Sequence, residues 1–356
     1  MFLRRTVVLL SLVLLNCDNL FGQSCNDCIT VTDCQEAVEM VNQNDAAATA
    51  LLRRAFCGFG ARRPKVCCSA LQAKLDSHPN LSLLPENCGF IDGDRLIGGM
   101  KAGLYQFPWM ALISHSTRSG LKFQCGGTLI NDRYVLTAAH CMKNLQIAGV
   151  RIGEYDYRTE TDCVGEPPKV ECESKIQDIR VEEAILHPAY SGRPGPVLND
   201  IGLLRLSKKV DFTPKNAKPI CLPISSSLRQ RALAGENATL AGWGFTEEHL
   251  PSPVLMTVNV PVHTPEDCRF SYHKGKLSES QPDLTVNKLC AGEKGKDSCS
   301  GDSGGPLMVA GLHSGKSRYI QYGVVSTGPR NCGSGAAGYY TDVSKYMQWI
   351  LDTIKP

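Results

Sequence analysis

The run Asp297-Ser298-Cys299-Ser300-Gly301-Asp302-Ser303-Gly304-Gly305-Pro306 sets a serine among glycines, with an aspartate immediately before it. Glycines admit backbone conformations closed to other residues and let a second backbone come close. Such a loop can present the Ser303 hydroxyl as a nucleophile while the N–H groups of Gly301 and Ser303 converge on one point, the arrangement of an oxyanion hole. An Asp/Ser/Gly-rich run is more often a plain surface turn. Nucleophilic chemistry requires a histidine base and an aspartate to orient it. Candidates for both stand upstream. His140 closes Leu136-Thr137-Ala138-Ala139-His140-Cys141, after the apolar Tyr134-Val135-Leu136, and Asp200 opens the apolar run Asp200-Ile201-Gly202-Leu203-Leu204.

The elements that must position these residues span a chain of 356 residues, more than one ordinary domain. A net charge of +3 is too mild to point to nucleic acid or an anionic membrane as a partner. Arg4 and Arg5 precede the apolar run Val7 to Leu15, which is too short to span a bilayer and reads as a signal peptide over residues 1–22. No later stretch is long and apolar enough for a membrane span, so a secreted, extracellular product is expected. Seventeen cysteines fit that compartment, and losing Cys17 with the signal leaves an even sixteen. The spacings give no opposed pair of Cys-x-x-Cys motifs, which argues against zinc.

From about Leu96 onward the chain resembles a trypsin-like serine protease. The chain order His140, Asp200, Ser303 is that of chymotrypsin-like enzymes and not of subtilisins or α/β-hydrolases. The resemblance implies an all-β fold, a trypsin-like double six-stranded β-barrel with a C-terminal helix, and peptide-bond hydrolysis with no cofactor in the chemistry. It places Asp297, six residues before Ser303, at the base of the primary pocket, where a carboxylate selects Arg or Lys. Gly328 and Gly338 match the pocket walls, and Ser326 and Gly328 would offer backbone hydrogen bonds to an extended substrate. The family's usual tryptophan between Ser326 and Gly328 is Thr327 here, leaving a less apolar pocket rim. Asp94-Arg95-Leu96-Ile97-Gly98-Gly99 resembles an activation site. Cleavage after Arg95 would free the α-amino group of Leu96 to pair with Asp302 and form the oxyanion hole, which makes the chain a zymogen.

The cysteines Cys25, Cys28, Cys34, Cys57, Cys67 and Cys68 lie in a segment too short for a large core. Six cysteines ending in an adjacent pair, upstream of a trypsin-like domain, resemble the clip domain of arthropod CLIP-domain serine proteases. The resemblance implies the bridges Cys25–Cys67, Cys28–Cys57 and Cys34–Cys68. The gap between Cys25 and Cys28 is shorter than that family leads one to expect. The expected order is signal (1–22), small disulfide-knotted clip domain (23–68), linker and activation segment (69–95) and protease domain (96–356). Gln35 to Phe56 has room for one or two short helices. Pro79, Pro85, Asn80 and several serines mark the linker. The same family pattern joins Cys88 to Cys221, so that the light chain stays attached after cleavage. It also pairs Cys125–Cys141, Cys268–Cys290 and Cys299–Cys332, leaving Cys163 and Cys172 to close an inserted loop.

Asn80-Leu81-Ser82 and Asn237-Ala238-Thr239 are glycosylation sequons. After Arg151-Ile152-Gly153 the oxygen side chains of Glu154, Asp156, Thr159 and Asp162 have a spacing that suits Ca²⁺ and equally suits a solvated acidic loop. Val343, Tyr346, Met347, Ile350, Leu351 and Ile354 recur at helical spacing and predict a terminal amphipathic helix packed on the barrels. The resemblance implies an upstream activating protease, a downstream proprotein substrate, an inhibitor of serpin type, and release into haemolymph within a melanisation, Toll or clotting cascade. A second class of function, a non-catalytic homologue acting as cascade cofactor, usually lacks the nucleophile, whereas His140, Asp200 and Ser303 are all in frame here. Docking by the clip domain itself is compatible with the protease reading.

Overall fold

In the computed structural model the described residues are 27–43, 46–61, 63–91, 100–192, 197–245, 250–272, 287–294, 301–328 and 337–356. The signal segment, Cys25, Arg95, Leu96, Asp297, Cys299 and Cys332 lie outside them. The chain divides into two compact units, one holding residues 1–81 and the other nearly all of the rest.

The first unit is a three-stranded antiparallel sheet of β1 (Cys28–Thr30), β2 (Phe56–Gly60) and β3 (Arg63–Cys67), with β3 in the middle. The interval between β1 and β2 holds two helices, α1 (Gln35–Gln43) and α2 (Ala46–Ala55), and a third, α3 (Cys68–Asp76), follows β3. Cys28–Cys57 and Cys34–Cys68 are bridged as the resemblance implies. Cys67 is also disulfide-bonded, but its expected partner Cys25 lies outside the described residues. The segment expected as linker opens as helix, since α3 runs on to Asp76. Leu71 and Leu75, four apart on α3, are 3% and 2% exposed, and Leu71 joins the small core of Ala37, Met40, Leu52 and Val66. An apolar pair one helical turn apart buries on one face and carries the helix on to Asp76.

The second unit holds β4 (Met100–Lys101), β5 (Met110–Thr117), β6 (Gly120–Leu129), β7 (Tyr134–Thr137), β8 (Ile147–Ile152), β9 (Asp162–Val164), β10 (Glu171–Glu173), β11 (Gln177–Ile179), β12 (Val181–Leu186), β13 (Gly202–Leu206), β14 (Asn237–Gly242), β15 (Met256–Pro261), β16 (Lys288–Ala291), β17 (Pro306–His313), β18 (Lys316–Thr327) and β19 (Gly338–Asp342). They form two sheets, β11-β8-β5-β6-β7-β13-β12 and β16-β19-β18-β17-β14-β15-β4. Each reduces to the expected six strands. β11 and β12 are one strand broken at Arg180, whose two halves pair with β8 and β13 and close the first barrel. In the second, the Val262–Ala291 bridge closes β15 onto β16, and the two-residue β4 is an addition. Their cores are fully buried strand side chains, such as Ile113, Leu129, Leu136 and Leu203 in the first and Val260, Leu307, Ile320 and Tyr340 in the second. β9 and β10 form a separate hairpin closed by Cys163–Cys172.

The terminal stripe from Val343 to Ile354 is buried at every predicted position. Its first turn, Val343–Tyr346, is a 3₁₀ turn, and α-helix covers only Met347–Thr353. Asp342 starts it by accepting the Ser344 N–H at 3.0 Å.

Candidate active site

His140 sits in a single 3₁₀ turn, Ala139–Cys141, immediately after β7. The Cys125–Cys141 bridge ties that turn back to β6. Asp200 lies just before β13, which pairs with β7, so Gly202 stands opposite Thr137. Adjacent strands thus deliver base and acid to the same end of the first barrel. The Asp200 carboxylate is fully buried. It accepts the His140 backbone N–H and the His140 Nδ1–H, each at 2.8 Å. Its third donor is the Ser326 hydroxyl at 2.6 Å. Burial alone would raise this carboxyl; the imidazole hydrogen bond and charge, with the Ser326 hydroxyl, outweigh it and hold Asp200 below the usual carboxylate range. The Nδ1 contact leaves Nε2 of His140 as the nitrogen that can act as base.

The Ser303 loop is fastened to both barrels. Ser303 C=O accepts the N–H of Gly126 on β6, and Gly304 N–H donates to Val325 C=O on β18. The Cys141 sulfur lies 3.6 Å from the same Ser303 oxygen. Gly301 and Gly304 have φ of 97° and 81°, the left-handed region that a side chain resists. His140 and Asp200, 60 residues apart, are thus hydrogen-bonded, and Cys141, the neighbour of His140, lies against the backbone of Ser303. The loop carrying Ser303 is held by backbone bonds to strands of both barrels.

Asp302 points away from Ser303 into a cradle of two glycines. Its Oδ1 accepts the Gly244 N–H at 2.8 Å. A Cβ at Gly242 would lie 2.1 Å from that oxygen, and one at Gly244 would lie 2.4 Å from the carboxyl carbon. The sequence reading did not single out Gly242-Trp243-Gly244. Two glycines around a tryptophan at the end of a strand are visible in the sequence, but nothing there links them to Asp302. Leu96, the expected partner of Asp302, lies outside the described residues.

Of the pocket residues, Ser326 sits at a bulge where β18 opposes β19, between Val325 and Thr327. A bulge re-aims a side chain, and here it turns the Ser326 hydroxyl onto Asp200, a role the sequence reading missed. Gly338 opens β19 and Gly328 follows β18, so they stand at one end of two paired strands. Asp297 lies outside the described residues. The sequence also gave no sign of Thr341, whose hydroxyl donates to the Asp200 C=O at 2.8 Å, or of Tyr346, whose hydroxyl donates to Asn199 Oδ1 at 2.8 Å. The terminal element carries no reacting group, yet it braces the residue before Asp200.

The four candidate metal ligands do not all converge. Tyr155 N–H faces Glu154 Oε1 at 2.9 Å and Asp162 Oδ2 at 3.2 Å, and the Thr159 hydroxyl donates to Asp162 at 2.6 Å. Burial, then the neighbouring Asp162, raises the Glu154 carboxyl, while the Tyr155 N–H and Arg151 pull it back. Asp156 does not belong to that set. Its two oxygens bind its own neighbour Arg158, at 2.9 and 2.6 Å, because an exposed guanidinium two residues away is a nearer partner than a shared ion. Cys88–Cys221 and Cys268–Cys290 are bridged as expected, whereas Cys299 and Cys332 lie outside the described residues. Among the sequon asparagines, Asn237 is exposed and Asn80 half-buried.

Residues 96–350 match the trypsin family model, and residues 23–68 match that of the regulatory CLIP domain of proteinases. The chain is 39% identical over 361 residues to CLIP domain-containing serine protease HP8 of Bombyx mori, covering 95% of this chain and 94% of the relative. It is 40% identical over 283 residues to Melanization protease 1 of Drosophila melanogaster, covering 77% of this chain and 69% of the relative. The crystal structure of the Drosophila Grass clip serine protease of the Toll pathway superposes with a TM-score of 0.66 at 30% identity, covering 94% of this chain and 98% of that one. No helix among the described residues is long and apolar enough to cross a membrane. Both domains, in order and over most of their length, agree with the site geometry: the chain belongs to the CLIP-domain serine proteases, serine endopeptidases of the trypsin family.

Proposed function

We propose that this chain is a secreted zymogen that, once cleaved after Arg95, cuts other proproteins after Arg or Lys within an extracellular cascade. The observation that carries the catalytic part is the convergence of His140, Ser326 and Asp200, next to a Ser303 loop fastened to both barrels. Ser303 Oγ attacks the scissile carbonyl carbon while His140 Nε2 takes its proton. Asp200 holds the imidazole tautomer and stabilises its charged form. The Gly301 and Ser303 amides receive the oxyanion. The carbonyl re-forms as the C–N bond breaks, His140 returns the proton to the leaving amine, and water repeats the sequence to release the acyl group. Asp297, at the base of the pocket by resemblance, selects a basic side chain.

Activation is carried over from the family resemblance: the freed ammonium of Leu96 would pair with the Asp302 carboxylate, which lies between Gly242 and Gly244 and accepts the Gly244 N–H. The names of relatives, a melanization protease and a Toll-pathway protease, support a cascade role; the activating protease upstream and a serpin-type inhibitor are carried over from the family resemblance. Glu154, Asp162 and Thr159 are the residues that would hold a structural Ca²⁺, which would neutralise two buried carboxylates. Chelation should then lower the melting temperature by several degrees; an unchanged melting curve with and without Ca²⁺ would leave these residues as a self-contained acidic cluster.

The deciding experiment is limited cleavage of the full secreted chain, with the new N-terminus sequenced and hydrolysis of Arg- and Phe-ended chromogenic peptides followed. Arg-specific activity is expected to appear with a chain beginning Leu96-Ile97-Gly98-Gly99, and Ser303→Ala should remove it. The correct N-terminus without hydrolysis of either peptide would move the cofactor reading to first place.

A further inference from the structure

We propose that Lys288, paired across the sheet with the residue that holds the Asp200 backbone, is a positioning residue that sets the working pH of the His140–Asp200 pair. In the antiparallel pairing of β16 with β19, Lys288 stands directly opposite Thr341. Directly opposed residues point to the same face, with Cβ atoms about 5 Å apart. The Thr341 side chain on that face donates to the Asp200 carbonyl. Lys288 therefore projects beside the hydroxyl that holds the catalytic aspartate in place. Lys288 is half-buried. Burial draws its pKa below the usual lysine range, while the charge of Asp200 pulls it back.

The other groups around the carboxylate are few among the described residues. His140 comes from the 3₁₀ turn and the neutral Ser326 from β18. Tyr190, from the segment after β12, is raised by burial and by the Asp200 charge. Lys143 lies 5.1 Å over the Tyr190 ring. Asp342, next to Thr341 on β19, alternates to the opposite face and is held by Ser344 and by the charge of Lys345. Lys288 is thus a cation on the Asp200 side of the sheet, separate from the imidazole that Asp200 orients. A fixed positive charge there competes with the imidazolium for the same carboxylate field. It makes His140 a weaker base and keeps it neutral, hence competent, to lower pH.

The inference rests on the triad reading above, and the test separates the two. The full chain is activated by cleavage, and the pH profile of kcat/KM on an Arg-ended peptide is compared for wild type, Lys288→Met, Lys288→Gln and Lys288→Arg. Both neutral variants should move the acid limb upward by on the order of half a pH unit, with the alkaline plateau little changed, and Arg should restore the wild-type limb. Coincident limbs for all four, or an equal shift in the Arg variant, would overturn the proposal. So would loss of secretion in both neutral variants alongside a folded Arg variant, since that assigns Lys288 a structural role. An inactive wild type would instead sink the triad reading.

Discussion

At the scale of single residues, the site depends on short contacts to one buried carboxylate. Asp200 accepts from the His140 backbone, the His140 ring and Ser326. Asp200→Asn keeps the shape but offers an N–H toward Nδ1, which favours the wrong tautomer. Turnover of the cleaved enzyme on an Arg-ended peptide should fall by about 10³ to 10⁴ with KM little changed; a loss of tenfold or less would mean that Asp200 does not orient the base. Gly244→Ala acts elsewhere. Its methyl group would sit inside the Asp302 carboxylate, so Asp302 must leave its cradle and take the neighbouring Ser303 amide with it. Cleavage after Arg95 should proceed normally, while peptide hydrolysis drops by at least about 10²-fold, the loss expected for a disrupted oxyanion hole. Cleavage followed by near-wild-type activity would show that the cradle does not set the loop. His140 and Ser303 were legible because their local runs are distinctive and short. Gly244, Thr341 and Lys288 were not, because what gives them meaning is a partner 58 to 141 residues away for the first two and a strand register for the third.

At the scale of elements, the terminal segment shows what periodicity reveals and what it hides. The stripe from Val343 to Ile354 was legible, since an amphipathic helix announces which face it buries. That its first turn is 3₁₀, and that Tyr346 reaches Asn199, was not, because periodicity carries no information on what the stripe covers. It covers His187. The imidazole packs edge-on against Tyr346 and Trp349, with ring centres 5.2 and 5.1 Å away, and its Nδ1 accepts the Ala189 N–H at 3.2 Å. Burial lowers its pKa to about 4. A histidine depressed in the fold binds its proton in the unfolded chain first, near pH 6.5. Between about pH 6.5 and 4 the unfolded state therefore holds more protons, and stability falls as the pH falls through that window. The full effect is up to about 3 kcal/mol. Thermal unfolding of the Ser303→Ala chain at pH 7 and pH 5 should show a drop that His187→Phe largely removes. An equal drop in both proteins would place the acid sensitivity in other groups. Cysteine pairing was legible in a different way. The spacing alone left every pairing open, and only the family resemblance chose among them.

At the scale of the whole molecule, the consequence of activation depends on one crossing. The segment around Cys88 is more than a tether. Gly89 N–H donates to Pro219 C=O, and Tyr319 N–H donates to Gly89 C=O, both at 2.8 Å. Phe90 bridges Arg318, whose guanidinium stands 4.1 Å over its ring. The chain before the activation site is thus laid down as a short added strand against β18, and Cys88–Cys221 locks it there across 133 residues of sequence. In the uncleaved chain such a long closed loop stabilises by on the order of 5 kcal/mol, mostly through the unfolded state. On the proposed cleavage at Arg95 the same bond would become the covalent link between two chains. Cleaved protein should therefore run as one band without reductant and as two bands with it. The double variant Cys88→Ser/Cys221→Ser should give two bands in both lanes. Among the described residues, the Gly89 bonds, the Phe90–Arg318 contact and the Asn131 Nδ2–H bond to Leu83 C=O at 3.1 Å involve only a short stretch of chain, so cleaved double variant should release its N-terminal chain on size exclusion at low concentration. Co-elution of the two chains at nanomolar concentration would mean that additional surface holds them. In either case peptide hydrolysis should persist, because every group placed in the chemistry lies on the C-terminal side of the cut. A loss of hydrolysis on release would show instead that the added strand supports β18 and, through it, the bulge that aims Ser326 at Asp200.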